Sequence, residues 1–211
     1  MKETGIIMSG NHPRLIMDKL KTMTRRTYGL SKINIEPDKW NLVAVFQDGL
    51  ARFFNTETED ELTLKCPYGG VGDKLWIRET FSKRTDGVDQ IMYKADYEEI
   101  VKVLELKEFT ERMGYPPLHP AWKPSIHMFH KDSRADLGII GIGAARVQGI
   151  SLEDVKREGV APYTLAKGVL SANPPDPRWK FIELWDRLNL KRGLGWDFNP
   201  WVWPITFKVI E

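Results

Sequence analysis

The sequence has few of the residues that build disulfide frameworks and metal centres. Its 211 residues include one cysteine, Cys66, and four histidines. A single cysteine excludes an internal disulfide and is typical of the reducing cytoplasm. His127 and His130 form an H-x-x-H pair, but a helical metal pair normally has i, i+4 spacing and further ligands. P-loop, G-x-S-x-G and paired C-x-x-C motifs are also absent, so the sequence predicts no metal and no cofactor.

Long apolar runs and one-sided charge are missing as well. No apolar stretch approaches the roughly 20 residues that a membrane helix needs, and residues 1–7 lack the apolar core of a signal peptide. Lys and Arg number 31 against 29 for Asp and Glu, so the chain is not globally basic. We expect a cytoplasmic protein with no membrane partner. Basic side chains nevertheless dominate residues 1–30, and a local patch can bind an anion.

Tryptophan is unusually abundant: the chain has eight, and five of them lie in residues 179–203. Apolar side chains alternate strictly over residues 201–209, which predicts a half-buried strand with Trp201 and Trp203 in the core. Pro204 within this strand indicates a sheet edge or a bulge. Trp196 lies in a glycine-rich loop, so we expect its ring to be exposed and able to stack on a base.

The order of predicted elements favours an α+β fold. Strands are predicted where β-branched or alternating apolar residues recur: 22–26, 42–46, 50–54, 74–81, 137–150 and 201–209. The Asp48-Gly49 turn predicts a hairpin between the second and third of these strands. Helices are predicted from helical spacing and capping residues: 13–21, 151–158, 178–188 and, weakly, 96–113. Ser151 is a suitable cap for the start of 151–158, and Gly159 is a natural stop after it. Because helices do not alternate regularly with strands, a barrel-like twisted sheet with helices around it is favoured over a Rossmann sheet.

Residues 21–26 carry the strongest chemical signal. If they are extended, Thr24 and Arg26 share one face of the strand, and Lys21 can reach the same space. A hydroxyl beside a lysine is a possible nucleophile and base if burial lowers the pKa of the lysine. Arg26 can hold a carboxylate or phosphate in its fork, and Lys19 and Arg25 add charge. A solvated basic turn would explain the same spacing.

Two carboxylates compete for a place beside this segment. Glu79 would share a strand face with Leu75 and Ile77, although a strand end at which Glu79 reaches solvent is the favoured interpretation. Glu158 lies at the end of the predicted helix 151–158. The helix dipole disfavours its charge by about 0.3–1 kcal/mol, the direction that a general acid needs, although an exposed charge tolerates that cost.

Several segments resemble those of ASCH-domain proteins. Lys21 and Arg26 match the G-x-K-x-x-x-x-R signature of that family, whereas Lys19 stands at the position of its glycine. The chain is most similar to the longer members encoded by phages and prophages. The similar pieces run in order over nearly the whole chain: 22–26, 66–69, 72–81, 123–128, 133–134 and 195–203.

The resemblance implies a PUA-like mixed β-barrel with surrounding helices and a cleft beside the signature motif. The chain would be a single domain over 1–211, with an insertion around 28–66 that narrows or caps the cleft and a loop-rich excursion around 95–125. PUA-like modules often bind RNA or modified nucleobases. Small ASCH proteins deacetylate N4-acetylcytidine, and by resemblance Thr24 would be the nucleophile, Lys21 the base and Glu158 the acid.

We therefore expect a protein that binds RNA or a modified nucleotide in a cleft around Lys21, Thr24 and Arg26. Further expected ligand contacts are Lys19, Arg25, Glu79 and Trp196. An amidohydrolase acting on N4-acetylcytidine-type nucleosides is the main alternative. A ribonuclease, for which no histidine pair stands out, and a phage accessory protein with a vestigial cleft are the others.

Overall fold

The computed structural model describes residues 1–83, 91–103, 121–161 and 176–210. The helices are α1 (His12–Met17), α2 (Lys94–Val103), α3 (Leu152–Arg157) and α4 (Trp179–Asn189). The first six strands are β1 (Glu3–Ile7), β2 (Met23–Arg26), β3 (Trp40–Val45), β4 (Leu50–Asn55), β5 (Glu61–Lys65) and β6 (Lys74–Arg78). The others are β7 (Phe81–Lys83), β8 (Ile91–Tyr93), β9 (Asp136–Ile142), β10 (Ala145–Arg146) and β11 (Trp201–Ile210).

A six-stranded sheet that curls into half a barrel forms the centre of the molecule. Its order is β1-β6-β9-β11-β10, and β2 pairs with β11 as well. The β1–β6 pair is parallel, and the other pairs of this sheet are antiparallel. Together with the four helices among the described residues, this confirms the α+β class.

Strand β11 runs through the middle of the sheet. Its residues Ile205 and Thr206 pair with β2 on one side and with β9 on the other. Of the two alternatives predicted for Pro204, the sheet edge is therefore wrong, and the bulge agrees with an irregularity in the pairing of the same strand. Pro204 cannot donate a hydrogen bond, but its carbonyl accepts one from the amide of Gly143 at 2.9 Å. A register shift follows between Thr206 and Phe207.

The main core lies between the central sheet and the smaller sheet β3-β4-β5. Trp203 is fully buried there, and Trp201 meets the ring of Phe53 from β4 edge-on at 5.2 Å. Both predicted core tryptophans are thus confirmed. The segment 28–66, expected to be an insertion over the cleft, instead contributes Phe53 and Ala51 to this core.

The other face of β11 is also covered where the strand begins. Val202 is buried in a second cluster with Phe181 and Trp185 of α4 and Val155 of α3. Strict alternation predicted a strand with one buried face, yet residues 201–203 are all buried. The difference arises because α3 and α4 pack against the outer face of the sheet, a long-range contact that strand periodicity does not encode.

Several predicted elements are confirmed with shifted ends. The hairpin at Asp48-Gly49 and the helices over 151–158 and 178–188 are present. The predicted strand 74–81 is interrupted after Arg78 and resumes as β7. The predicted helical residues 104–113 and the prolines at 116, 117, 120, 174 and 175 lie outside the described residues. None of the described helices is long and apolar enough to cross a membrane.

Helix α1 ends earlier than predicted because Lys19 adopts a left-handed backbone conformation with φ of 59°. A side chain in that region is strained, whereas glycine adopts it freely. We expect Lys19→Gly to raise the free energy of unfolding by up to about 1 kcal/mol. Urea unfolding measures the change. Lys32→Gly, at a residue with an ordinary negative φ, is the control and should lower stability by about 0.5–1 kcal/mol; a loss of stability in Lys19→Gly would contradict the argument.

Candidate functional site

The start of β2 is fixed against the end of α3. The amide of Thr22 donates to the carbonyl of Arg157 at 2.8 Å. Gly159 then ends the helical turn with φ of 79°, as its sequence position predicted. A Cβ added at Gly159 would lie 3.1 Å from Cβ of Lys21 and 3.0 Å from Cδ1 of Leu15. This close approach places the Lys21 side chain beside the last residues of the helix.

Lys21 and Glu158 form a buried ion pair. Lys21 is 1% exposed and Glu158 is 5% exposed. The Lys21 ammonium donates to Oε2 of Glu158 and to the backbone carbonyl of Glu158, both at 2.7 Å. Burial lowers the pKa of Lys21, and it outweighs the nearby Glu158 carboxylate, which acts to raise it. Lys21 is therefore closer to its neutral form than an exposed lysine.

Arg25 supports the same carboxylate from its other side. Its guanidinium contacts Oε1 of Glu158 at 3.3 Å and Oδ2 of Asp154 at 2.7 Å. Glu158 therefore has a cation on each carboxylate oxygen, and the expectation that it is an exposed charge is wrong. Asp154 and Glu158 lie four residues apart at the same face of α3, so a single arginine can reach both.

A cleft of about 260 Å³ opens beside this cluster. Thr24, Arg25, Arg26 and Glu158 all line it. Within the described residues, the hydroxyl of Thr24 has no hydrogen-bond partner, although the residue is only 4% exposed. The site thus presents a free hydroxyl beside a carboxylate that is held by two cations.

The cleft carries more positive than negative charge. Arg25, Arg26 and Arg192 line it, against the single carboxylate of Glu158 among its described lining residues. Arg26 is held in place by donating to the carbonyl of Ile7 at 2.7 Å. Such a surface favours an anionic ligand, because guanidinium groups bind phosphates and carboxylates with paired hydrogen bonds.

Aromatic and apolar side chains form the rest of the wall. Tyr28 is 66% exposed and lines the cleft together with Tyr68, Leu188 and Phe181. Tyr28 is the exposed ring at this site, and it is the one residue of segment 28–66 that lines the described cleft. Tyr28 is thus the point at which segment 28–66 borders the cleft.

Trp196, the ring expected to stack on a base, lies elsewhere. Its ring packs edge-on against Phe181 at 6.2 Å, and the guanidinium of Arg178 lies 5.2 Å from its centre. Trp196 is partly buried and is not among the residues that line the cleft. The glycine-rich loop, which suggested that Trp196 is exposed, folds back against α4. The backbone amide of Trp196 donates a hydrogen bond to Oδ1 of Asp186 at 2.6 Å.

Glu79 is also buried but belongs to a separate network. It is 2% exposed, so the interpretation that it reaches solvent at a strand end is wrong. The guanidinium of Arg134 donates to both carboxylate oxygens of Glu79 at 2.7 Å and forms an ion pair with Asp96 of α2 at 2.7 Å. Burial raises the pKa of Glu79 despite this partner. Glu158, not Glu79, is the carboxylate in contact with Lys21.

The structure brings together Lys21, Thr24, Arg25, Arg26 and Glu158 of the residues predicted for the site. It places Lys19 on the exposed turn after α1. Lys19, Glu79 and Trp196 are not among the residues that line the cleft.

Residues that the sequence did not flag complete the site: His12, Tyr28, Tyr68, Asp154 and Arg192. Asp154 had a signal, its i, i+4 spacing from Glu158. The others come from distant segments and lacked one.

His12 is a partly buried histidine in the cleft wall. Burial, together with the charges of Lys21, Arg26 and Arg187, lowers its pKa from 6.5 to about 3. Unfolding restores the ordinary pKa, so the unfolded chain binds the extra proton first as the pH falls below 6.5. The stability that the neutral imidazole provides is complete above pH 6.5 and is lost toward pH 3.

We therefore expect His12→Gln to reduce the acid sensitivity of the fold. The loss of unfolding free energy between pH 7 and pH 4.5 should be smaller than in the wild type by about 1–3 kcal/mol. Urea unfolding at the two pH values measures this. His127→Gln, at an exposed histidine, should leave the loss unchanged. An equal loss in His12→Gln and the wild type would contradict the assignment.

Within the described residues, no three histidine, cysteine, aspartate or glutamate side chains lie close enough together to hold a metal ion. His130 instead contacts Asp136 at 2.7 Å and stacks on Trp76. Comparison with known proteins adds no further assignment: no family model, no curated protein and no solved structure matches the chain.

Proposed function

We propose that the chain is an ASCH-like protein whose cleft binds RNA or a modified nucleotide, on a sheet related to the PUA-like barrel. The observation that carries this proposal is the convergence of Thr24, Arg26 and Glu158 on one cleft, with Lys21 bound to Glu158. Lys21 and Arg26 match the family signature, and Thr24 and Glu158 correspond by resemblance to residues of the family's amidohydrolases.

The shape and charge of the cleft suit a nucleotide. Arg26 and Arg192 offer donors for a phosphate, and the exposed ring of Tyr28 offers a surface for a base. Glu158 and Asn189 can accept or donate hydrogen bonds at the edge of a base. A site with both cations and a stacking ring is typical of proteins that bind unpaired nucleotides.

The binding proposal predicts a loss of affinity when the stacking ring is removed. N4-acetylcytidine, cytidine and a short RNA are titrated into the wild type and Tyr28→Ala, with calorimetry as readout. Tyr28→Ala should weaken binding by about 5- to 150-fold, the range for one base stack. Phe46→Ala, which removes an exposed ring from the β3–β4 turn, is the matched control. Unchanged affinity in Tyr28→Ala would rule out stacking at this position.

The Lys21–Glu158 pair favours a second function for the same cleft, hydrolysis of an N4-acetylcytidine-type amide. Here Thr24 attacks the acetyl carbonyl, and the neutral amine of Lys21 takes the hydroxyl proton. The hydrogen bond at 2.7 Å offers this proton a path to the Glu158 carboxylate. Glu158 then protonates the leaving amine, the C–N bond breaks, and cytidine departs.

The acetyl group is left as an ester on Thr24. Water hydrolyses that ester to acetate and restores the hydroxyl, so the cycle needs no metal or redox partner. The lowered pKa of Lys21 supports its role as base, because a protonated lysine cannot accept the proton. Arg26 can stabilise the negative charge that develops on the carbonyl oxygen.

A further inference from the structure

A second, wider groove lies across β6 and the loop that follows Lys123. Its volume is about 860 Å³. Trp76 and Arg78 of β6 line it, together with Lys123, Ile126 and Phe129. None of these residues takes part in the cleft around Thr24.

Exposed apolar and aromatic surface lines this groove. Phe129 is 69% exposed and Ile126 is exposed as well. Trp76 stacks on the imidazole of His130 with ring centres 5.2 Å apart and planes 16° apart. The guanidinium of Arg78 lies 5.3 Å from the Trp76 ring. Phe129 is therefore the exposed ring of this groove, and an exposed ring is what an unpaired base needs for stacking.

The groove is lined by more positive than negative side chains. Arg78, Lys83 and Lys123 line it, and among the described lining residues the one carboxylate, Asp132, is buried and bound to Lys83 at 2.9 Å. Lys123 is exposed and has no ion pair within the described part of the chain. Arg78 donates to the carbonyls of Ser125 and Ile126, which holds its guanidinium at the groove wall.

A small cavity of about 140 Å³ lies next to the cleft and near the groove. Ser9, in the loop between β1 and α1, lines both the cleft and this cavity. Ser125 lines the cavity, and its neighbour Ile126 lines the groove. The cavity therefore adjoins the cleft at Ser9, and at Ser125 it comes close to Arg78 of the groove; Glu79 and Glu98 also line it.

We propose that this basic, aromatic groove holds the single-stranded polynucleotide that continues from the nucleotide bound in the cleft. The inference deepens the proposed function and rests on it: the natural ligand is a nucleotide within a strand, not a free nucleoside. The phosphates lie against Lys123 and Arg78, and a base stacks on Phe129. RNA and single-stranded DNA share this chemistry.

The test compares ligands of different length on matched variants. Fluorescence anisotropy measures binding of labelled RNA and DNA strands of about eight nucleotides with the same sequence, and calorimetry measures N4-acetylcytidine. Phe129→Ala should weaken strand binding by about 5- to 150-fold and leave N4-acetylcytidine binding unchanged. Lys123→Ala should reduce the salt dependence of strand binding by about one phosphate contact. Phe198→Ala and Lys32→Ala, at exposed residues outside the groove, are the controls.

The outcomes separate the two proposals. If strand binding is unchanged in Phe129→Ala and Lys123→Ala but lost in Tyr28→Ala, the proposal that the groove binds the strand is wrong. The proposal that the cleft binds a nucleotide would then stand. Strand binding that depends on the groove alone would support it as a strand-binding surface and remove the cleft from the nucleotide site. If the wild type binds no strand, or if Phe129→Ala changes only self-association in light scattering, the groove proposal fails. Tighter binding of RNA than of DNA would identify the natural strand.

Discussion

Glu158→Ala is expected to lower the free energy of unfolding by about 3–5 kcal/mol. The change leaves the ammonium of Lys21, a residue that is 1% exposed, without its carboxylate partner. Arg25 loses a contact as well but keeps Asp154 at 2.7 Å. An unpaired charge in such a site retains its desolvation cost with no attraction to offset it. Urea unfolding should show a lower midpoint with an unchanged slope.

Two further variants isolate the cause. Lys21→Met should cost less than Glu158→Ala, because Glu158 keeps Arg25 as a partner. The double variant Lys21→Met/Glu158→Leu should recover most of the loss, since a buried ion pair can be replaced by apolar side chains at little cost. Glu153→Ala, on the same helix but exposed, should change stability by less than about 1 kcal/mol. A small effect of Glu158→Ala would mean that water reaches the pair or that Lys21 loses its proton when its partner is removed.

Thr24→Val is expected to lower the rate at which cytidine is released from N4-acetylcytidine by at least about 1,000-fold. Valine has the shape of threonine, and the hydroxyl that it removes has no partner within the described residues, so the fold should be little affected. Thr24→Ser keeps a hydroxyl and should retain measurable activity. Chromatography of the nucleosides gives the rate. Thr22→Val, two residues earlier and outside the cleft lining, is the matched control.

The pH dependence of this reaction tests Lys21. Its base form must be neutral, so the rate should rise with pH through the lowered pKa of Lys21 and then level off. Lys21→Met should remove this rise and lower the rate by about 100- to 10,000-fold. Equal rates in Thr24→Val and the wild type would exclude threonine as nucleophile. No cytidine from the wild type, with intact N4-acetylcytidine binding, would leave the cleft as a binding site.

Local features of the sequence were sufficient for most of the elements. The Asp48-Gly49 turn predicted its hairpin because few residues adopt the required backbone, and Ser151 and Gly159 marked both ends of α3. The alternation of residues 201–209 predicted β11 and the burial of its two tryptophans. Because these features depend on residues that are neighbours in the chain, they can be predicted without knowledge of the tertiary structure. Lys19 is a case that local sequence did not predict, because its neighbouring residues gave no indication of a left-handed backbone.

The sequence by itself determined the α+β class, the strand that carries Thr24, and the residues that resemble an ASCH signature. The tertiary structure alone decided that Glu158 rather than Glu79 meets Lys21, across 137 residues of chain. It also decided that Trp196 packs against α4 while Tyr28 stands at the cleft. The physical reason is that burial and pairing are properties of contacts between distant segments. A carboxylate at a helix end is an exposed charge or half of a buried pair according to what packs against it.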